Sequence, residues 1–296
     1  MERPTKKLRE LLKKPALLKA PGVVDAIGAR LVAKAGFEAI YMTGAGTAAS
    51  RLGWPDVGLL TMSEMVDNAQ RIAEASGLPL IADADTGYGG PLNVRRTIQS
   101  YERAGVAAVH IEDQQWPKRC GHLEGKTLIS ADQMAANIRA ACDARVDADF
   151  MIIARTDAIA VEGFERALER AKIYEEAGAD MVFVEAPRTM EQLNAIPAAL
   201  SVPALFNMAA SGKTPFLSAS EIQNLGFKLV IYPNFVLLSA IPVMQRVLLE
   251  LHAGGSIKDL ASQATSFTNF FDLLGMDEVK ALEARYSVDD KSRVGY

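Results

Sequence analysis

Short apolar runs alternate with amphipathic stretches along the whole chain, and glycines mark the joints. Gly36, Gly105, Gly178 and Gly226 share one setting. Each closes a helix-like stretch (LVAKAG, YERAG, YEEAG, IQNLG) and precedes an apolar run (FEAIYM, VAAVHI, ADMVFV, FKLVIY). A glycine past the last helical residue supplies the left-handed stop that helices commonly need. The runs are too short for helices and rich in β-branched or aromatic residues, so they read as strands. Their near-continuous apolarity fits strands buried on both faces. Leu78–Ala82 after Gly77, Phe150–Ala154 and Val202–Phe206 fit the same rhythm, and an opening strand near 16–20 precedes a helix around 25–34. Another helix covers 131–145. The strands then fall near 16–20, 38–42, 78–82, 107–112, 150–154, 181–185, 203–207 and 228–232. Eight such units predict an α/β fold, a (β/α)8 TIM barrel, with a doubly wound open sheet as the rival. No linker rich in Pro, Gly or Ser divides the chain. We read one barrel domain over 1–296, with a helical extension over about 255–296.

The strands exit into polar groups: Tyr41, Thr43 and Gly44 after the second, Asp83 and Asp85 after the third, and Glu112 and Asp113 after the fourth. Arg155, Thr156 and Asp157 follow the fifth, Glu185 the sixth, and Asn207 the seventh. In a barrel these ends share the C-terminal rim, where active sites lie. Asp83 and Asp85 alternate by two, so they face one side of an extended strand. With Glu112 they offer the few hard oxygens that Mg²⁺ takes beside waters, and Mn²⁺ would serve similarly. Asp113 and Asp157 read as caps or ion-pair partners in loops. The connection 114–130 is long for a barrel loop, which suggests a lid. Lys118, Arg119, His122 and Lys126 make it cationic, and cations flanking Cys120 favour a reactive thiol. Arg155 suits a carboxylate, with pairing to Glu185 as the structural alternative. His110, inside a strand, reads as a satisfied core histidine, and Cys142 as a small buried apolar residue.

Bulk properties narrow the classes. The chain has 296 residues, 49% hydrophobic and 23% charged, as in ordinary globular proteins. A net charge of −4 argues against nucleic acid as the main partner. Two cysteines suggest no disulfide framework and fit a reducing cytoplasm. The N-terminus lacks a secretory pattern, and no apolar run reads as a membrane span.

Lys118-Arg119-Cys120-Gly121-His122, with Asp83-Ala-Asp85-Thr-Gly87 and Ile111-Glu112-Asp113, resembles the isocitrate lyase / phosphoenolpyruvate mutase superfamily. The similarity runs from about Leu8 to about Leu274 and includes Tyr41-Met-Thr-Gly44, Pro55-Asp56-Val-Gly58, Ala154-Arg-Thr-Asp157 and Asn207-Met208. The Lys-Arg-Cys-Gly-His run marks the carbon–carbon lyase branch, which includes 2-methylisocitrate and 2,3-dimethylmalate lyases. The resemblance implies the barrel, Mg²⁺ at Asp83, Asp85 and Glu112, and a homotetramer that exchanges its eighth helix between subunits. It implies substrate contacts at Thr43, Gly44, Ala45, Asp56, Lys118, Arg119, Gly121, Glu185 and Asn207. Cys120 becomes the catalytic acid/base, and Tyr41, Arg155 and His122 join it in catalysis. The implied reaction is retro-aldol cleavage of a 2-hydroxy acid to pyruvate and a second acid. Hydrolysis or decarboxylation of oxaloacetate, and phosphonate mutation, are the alternatives. Two departures touch the substrate end. Asn207 is followed by Met-Ala209-Ala210 where many 2-methylisocitrate lyases carry Thr-Glu-Phe-Gly, and His122 by Leu-Glu-Gly where many show Arg-Pro-Asn. Lost anion donors favour a 2-substituted malate over a tricarboxylate.

Overall fold

The structure is a computed structural model that describes residues 2–121, 123–211, 213–258 and 260–287. Its backbone divides into two compact units, residues 1–240 and 241–296. The sequence had suggested one domain over 1–296 with a helical extension from about 255.

In the first unit eight parallel strands close in sequence order: β1 (Leu18–Val23), β2 (Ile40–Met42), β3 (Leu80–Asp83), β4 (Ala108–Glu112), β5 (Met151–Thr156), β6 (Met181–Val184), β7 (Ala204–Asn207) and β8 (Leu229–Tyr232). The helices of this unit are α1 (Pro4–Lys13), α2 (Ala26–Lys34), α3 (Gly44–Leu52), α4 (Met62–Ser76), α5 (Pro91–Arg103) and α6 (Ala131–Ala144). They continue with α7 (Phe164–Glu176), α8 (Met190–Ala198) and α9 (Ala219–Asn224). The open-sheet alternative is thereby removed.

Local chemistry sets the joints. Asp25, Thr43, Thr61, Ser130, Thr189 and Ser218 each accept a backbone N–H at a helix start, satisfying donors that the helix leaves unpaired. Gly36 ends its helix at φ +83° and Gly178 at +107°, where a Cβ would be strained.

Strand alternation sorts side chains between two cores. Ile40, Met42, Leu80, Ala82, Val109, Ile111, Ile152 and Ala154 pack outward against helices. Tyr41, Ile81, Ala108, Ile153, Phe183, Leu205, Leu229 and Ile231 fill the barrel interior. Leu8 and Leu11 of α1 join this inner cluster beside Leu18, Ala39 and Ala107 at the strand starts. The same period of two carries Asp83, Glu112, Arg155, Glu185 and Asn207 inward at the strand ends.

A long helix, α10 (Phe235–Gly254), follows β8, and α11 (Phe267–Leu274) and α12 (Met276–Tyr286) complete the second unit. None of the three has a buried residue. By length and composition α10 could cross a membrane. This corrects the expectation that no apolar run reaches that length; the sequence reading missed it because Ser239, Pro242, Gln245 and Arg246 interrupt the run.

Candidate active site

At the C-terminal rim a cavity is lined by Tyr41, Thr43, Ala45, Asp56, Asp83, Lys118, Cys120, Gly121, Arg155, Glu185 and Asn207. Each of these was singled out in the sequence. Phe183, Ala209, Ile231, Pro233 and Asn234 complete the wall. Asn234 follows β8, an exit that the sequence reading left unassigned although its Tyr-Pro-Asn run has the polar signature of the other exits. It accepts a hydrogen bond from Thr43 Oγ1 at 2.9 Å and so joins the second and eighth strand ends.

Arg155 lies at the centre of the charge network. Its guanidinium donates to Asp157 at 3.0 and 3.1 Å and lies 3.2 Å from Glu112 and 3.5 Å from Glu185. Burial disfavours its charge, but Asp157, Glu112 and Glu185 outweigh that and hold it well above its ordinary range. Asn207 donates to both Glu185 oxygens at 3.3 and 3.1 Å.

Beneath this layer, Asp113 accepts from Thr156 Oγ1 (2.7 Å), the Asp157 amide (3.0 Å) and Tyr174 (2.7 Å). Arg170 approaches Asp113 at 3.4 Å while binding Glu162 through two nitrogens at 2.7 and 2.6 Å. The Asp157 that positions Arg155 is therefore braced from α7.

The 114–130 connection folds over the rim. Lys118 is only 3% exposed; its ammonium is 2.6 Å from Asp56 and 2.5 Å from Asp85. The Cys120 amide donates to the Asp56 carbonyl at 3.1 Å. Lys126 donates to the Gly121 carbonyl and lies 3.6 Å from Asp157. Arg119 was expected at the substrate, but the structure leaves it exposed, with its guanidinium against Gly125. Gln114 grips its backbone from both sides, accepting from the amide and donating to the carbonyl, which turns the side chain outward. Gly44 contributes only its backbone, which donates to Asp83 Oδ2 at 3.2 Å. His122 lies outside the described residues.

Asp83, Asp85 and Glu112 are all buried, but among the described residues no three Asp, Glu, His or Cys side chains converge as a ready metal shell. Asp85 turns to Lys118, Asp83 to the amides of Gly44 and Asp85, and Glu112 to Arg155. The donor chemistry nevertheless fits a hydrated divalent cation. Carboxylates outnumber the cations here, and Glu112 Oε1 is buried without a hydrogen-bond partner. Burial pushes Asp85 up to about 6 and Glu112 well above its normal range, against the pull of Lys118 and Arg155 respectively. A hard cation that keeps most of its waters would relieve this excess. Asp85 (φ +47°) and Ala186 (φ +57°) also hold left-handed backbone beside the site, the kind of strain that clusters at functional sites.

His110 departs from the satisfied core histidine expected from sequence. Its Nε2 is 2.8 Å from Tyr41 Oη, but its Nδ1 makes no hydrogen bond. Burial pushes its ring down to about 4, so it is neutral near neutral pH. Burial, with Asp83 nearby, holds the Tyr41 phenol well above its usual range.

Comparison with known proteins extends these observations. The family described as phosphoenolpyruvate phosphomutase matches residues 8–252. A 2,3-dimethylmalate lyase of Eubacterium barkeri is 44% identical over 281 residues, covering 95% of this chain and 97% of that protein. A 2-methylisocitrate lyase of Aeropyrum pernix is 43% identical over 287 residues, covering 97% and 92%. The crystal structure of a 2,3-dimethylmalate lyase, described as a PEP mutase/isocitrate lyase superfamily member, superposes with a TM-score of 0.93 at 39% identity and covers 100% of both chains.

Proposed function

Because this chain belongs to the phosphoenolpyruvate phosphomutase family, we propose that it is a carbon–carbon lyase that cleaves a 2-substituted 2-hydroxy acid and releases pyruvate. The observation that carries the reading is Cys120, brought by its loop into the cavity wall beside Tyr41, Arg155 and Glu185. Mg²⁺, held by Asp83, Asp85 and Glu112 partly through water, would supply Lewis-acid polarisation of the substrate's 2-hydroxy-carboxylate end.

The chain's own residues do the rest. Tyr41 takes the hydroxyl proton as the C2–C3 bond breaks in the retro-aldol sense and passes its own phenolic proton to His110 Nε2, 2.8 Å away. Arg155 stabilises the negative charge that develops on the departing carboxylate. Cys120 delivers its thiol proton to the departing carbon. Gly121, packed on Arg155 and Glu185, keeps water from the intermediate.

The wall favours 2,3-dimethylmalate over 2-methylisocitrate. Phe183, Ala209, Ile231 and Pro233 line it with apolar surface. The lining cations among the described residues, Lys118 and Arg155, are already paired with Asp56, Asp85, Asp157 and Glu112. A propionate leaving group suits such a wall; succinate brings a second carboxylate, which among the described lining residues would meet only these two paired cations.

The unburied apolar length of α10 supports a homotetramer that exchanges this helix between copies. A neighbouring subunit rather than lipid would then cover it, in a cytoplasmic enzyme. The test is pyruvate release with Mg²⁺ from 2,3-dimethylmalate and 2-methylisocitrate, and glyoxylate release from isocitrate, in parallel, with oxaloacetate loss as control. Release should be fastest from 2,3-dimethylmalate. No 2-oxo acid from any of the three would retire the lyase, and loss of oxaloacetate alone would point to the hydrolase or decarboxylase alternative.

A further inference from the structure

The exit of β8 sets Pro233 and Asn234 in the cavity wall. Two glycines make room for them. A Cβ on Gly22 of β1 would overlap the Pro233 backbone, and one on Gly46 of α3 would stand 2.8 Å from Asn234 Oδ1. The barrel closure between β1 and β8, with Pro21 beside Tyr232, fixes where this asparagine leaves the strand.

Thr43 decides which end of the Asn234 amide faces the cavity. Its hydroxyl is buried, accepts the Gly46 amide at 3.2 Å and lies 2.9 Å from Asn234 Oδ1. A threonine hydroxyl has one hydrogen to donate. With the Gly46 N–H already on a lone pair, that hydrogen goes to the Asn234 oxygen. An amide turned the other way would set its NH2 against the hydroxyl and leave a buried donor unmatched, which costs more than the bond returns. Oδ1 therefore points to Thr43, and Nδ2 is the end left for a ligand. Among the described residues nothing accepts from Nδ2.

The neighbouring donors are committed. Asn207 turns its NH2 to Glu185 at 3.1 and 3.3 Å. Arg155 is held by Asp157 and Glu112, and Lys118 by Asp56 and Asp85. Asn234 is thus a neutral donor that a carboxylate can meet without displacing a resident anion. Position says which carboxylate. β8 stands opposite β4 in the closed strand order, and the acids proposed for Mg²⁺ lie at the ends of β3 and β4. A substrate held there by its 2-hydroxy-carboxylate end extends its other half toward β8. We propose that Asn234 is a specificity-determining residue whose Nδ2 donates to the carboxylate of the departing acid. The role deepens the lyase reading and rests on it for the identity of that acid.

Calorimetry on the Cys120→Ser protein with Mg²⁺ measures binding apart from turnover. Two ligands are compared: 2,3-dimethylmalate, and 2-hydroxy-2-methylbutanoate, which keeps the 2-hydroxy-carboxylate end and lacks the second carboxylate. Asn234→Asp keeps an oxygen for Thr43 and removes only the donor. Added to Cys120→Ser, it should weaken 2,3-dimethylmalate by about 10- to 150-fold, the worth of a hydrogen bond to a charged group, and leave 2-hydroxy-2-methylbutanoate within about twofold. Asn234→Ala should show the same selective loss.

Parent-like affinity for 2,3-dimethylmalate in the Asn234→Asp variant would reduce Asn234 to a structural acceptor for Thr43 and overturn the proposal. Equal losses for both ligands would overturn it as well. Turnover by the protein with Cys120 intact is scored separately. A selective loss in a protein that cleaves no acid would remove the lyase reading and keep Asn234 as a carboxylate donor. Binding of neither ligand would overturn both.

Discussion

Replacing Gly121 with alanine adds one methyl group at a place with no room for it. Gly121 is not among the positive-φ glycines, so alanine meets no backbone penalty and the cost is contact alone. The new Cβ would overlap Arg155 Nη2 and stand 2.9 Å from Glu185 Cγ and 3.0 Å from its Cδ, where carbon pairs normally rest at about 3.5–4.0 Å. Arg155 cannot yield easily, because Asp157 holds it at 3.0 and 3.1 Å and Glu112 at 3.2 Å. The loop must lift instead. Overpacking of this kind costs about 1–3 kcal/mol, and at ~1.4 kcal/mol per tenfold the expected loss in kcat/KM is roughly 5- to 150-fold. The barrel does not depend on the loop, so global stability should change little, as local opening allows. A coupled pyruvate assay gives the rate. A lysine-specific protease gives the loop position, because the side chains of Lys118 and Lys126 are 3% and 2% exposed and become accessible only if the loop lifts. Parent-like kcat/KM together with parent-like resistance to that protease would refute the seated loop.

Four other outcomes follow from the geometry. Cys120→Ser should abolish turnover but keep ligand binding measurable by calorimetry; near-parental turnover would remove the thiol from the chemistry. Removal of divalent metal with EDTA should silence pyruvate release, and Mg²⁺ or Mn²⁺ should restore it; activity that survives exhaustive chelation counts against the acidic set as a metal site. Arg170→Met should cost about 3 kcal/mol in urea unfolding, the low end for breaking a buried ion pair, because Asp113 keeps three other donors; a change below about 1 kcal/mol would show that Arg170 is dispensable.

The last outcome concerns acid. Burial pushes His110 down to about 4, against about 6.5 in an unfolded chain. Its contribution to stability is thus full above about pH 6.5 and is lost as pH falls toward 4. Asp85, pushed up to about 6 by burial, acts in the opposite sense over a similar window. His110→Gln removes only the first effect, so it should gain on the parent by about 3 kcal/mol between pH 7 and pH 4, read from urea curves. An unchanged gap between the two proteins would contradict a buried neutral ring.

Much of this was legible in the residues. All eight strands fall within about three residues of the expected boundaries at each end, because Gly36, Gly105, Gly178 and Gly226 mark helix ends through backbone sterics that do not depend on tertiary context. The rim acids and Arg155 stood out because charge at the end of an apolar run is conspicuous. His110 did not, since both faces of a barrel strand are buried and apolarity does not distinguish the inner face from the outer one. Only the register beside Tyr41 and Asp83 gives the ring its meaning. Arg119 misled for a related reason: two adjacent cations look alike in sequence, and the loop backbone sends Lys118 inward and Arg119 out. The missing convergence of Asp83, Asp85 and Glu112 had no sequence signal, because spacing does not reveal that Lys118 takes up Asp85.

The pairing of both cavity cations has a thermodynamic consequence. An incoming carboxylate finds neither the guanidinium nor the ammonium idle, so each new contact it makes with either must loosen a resident one. Association at these cations is then a substitution in which one anion trades places with another, and their share of the affinity reflects the small difference between two similar attractions. Such a site releases its products as readily as it admits its substrate, and added salt, which screens exposed charges far more than enclosed ones, should scarcely shift the balance.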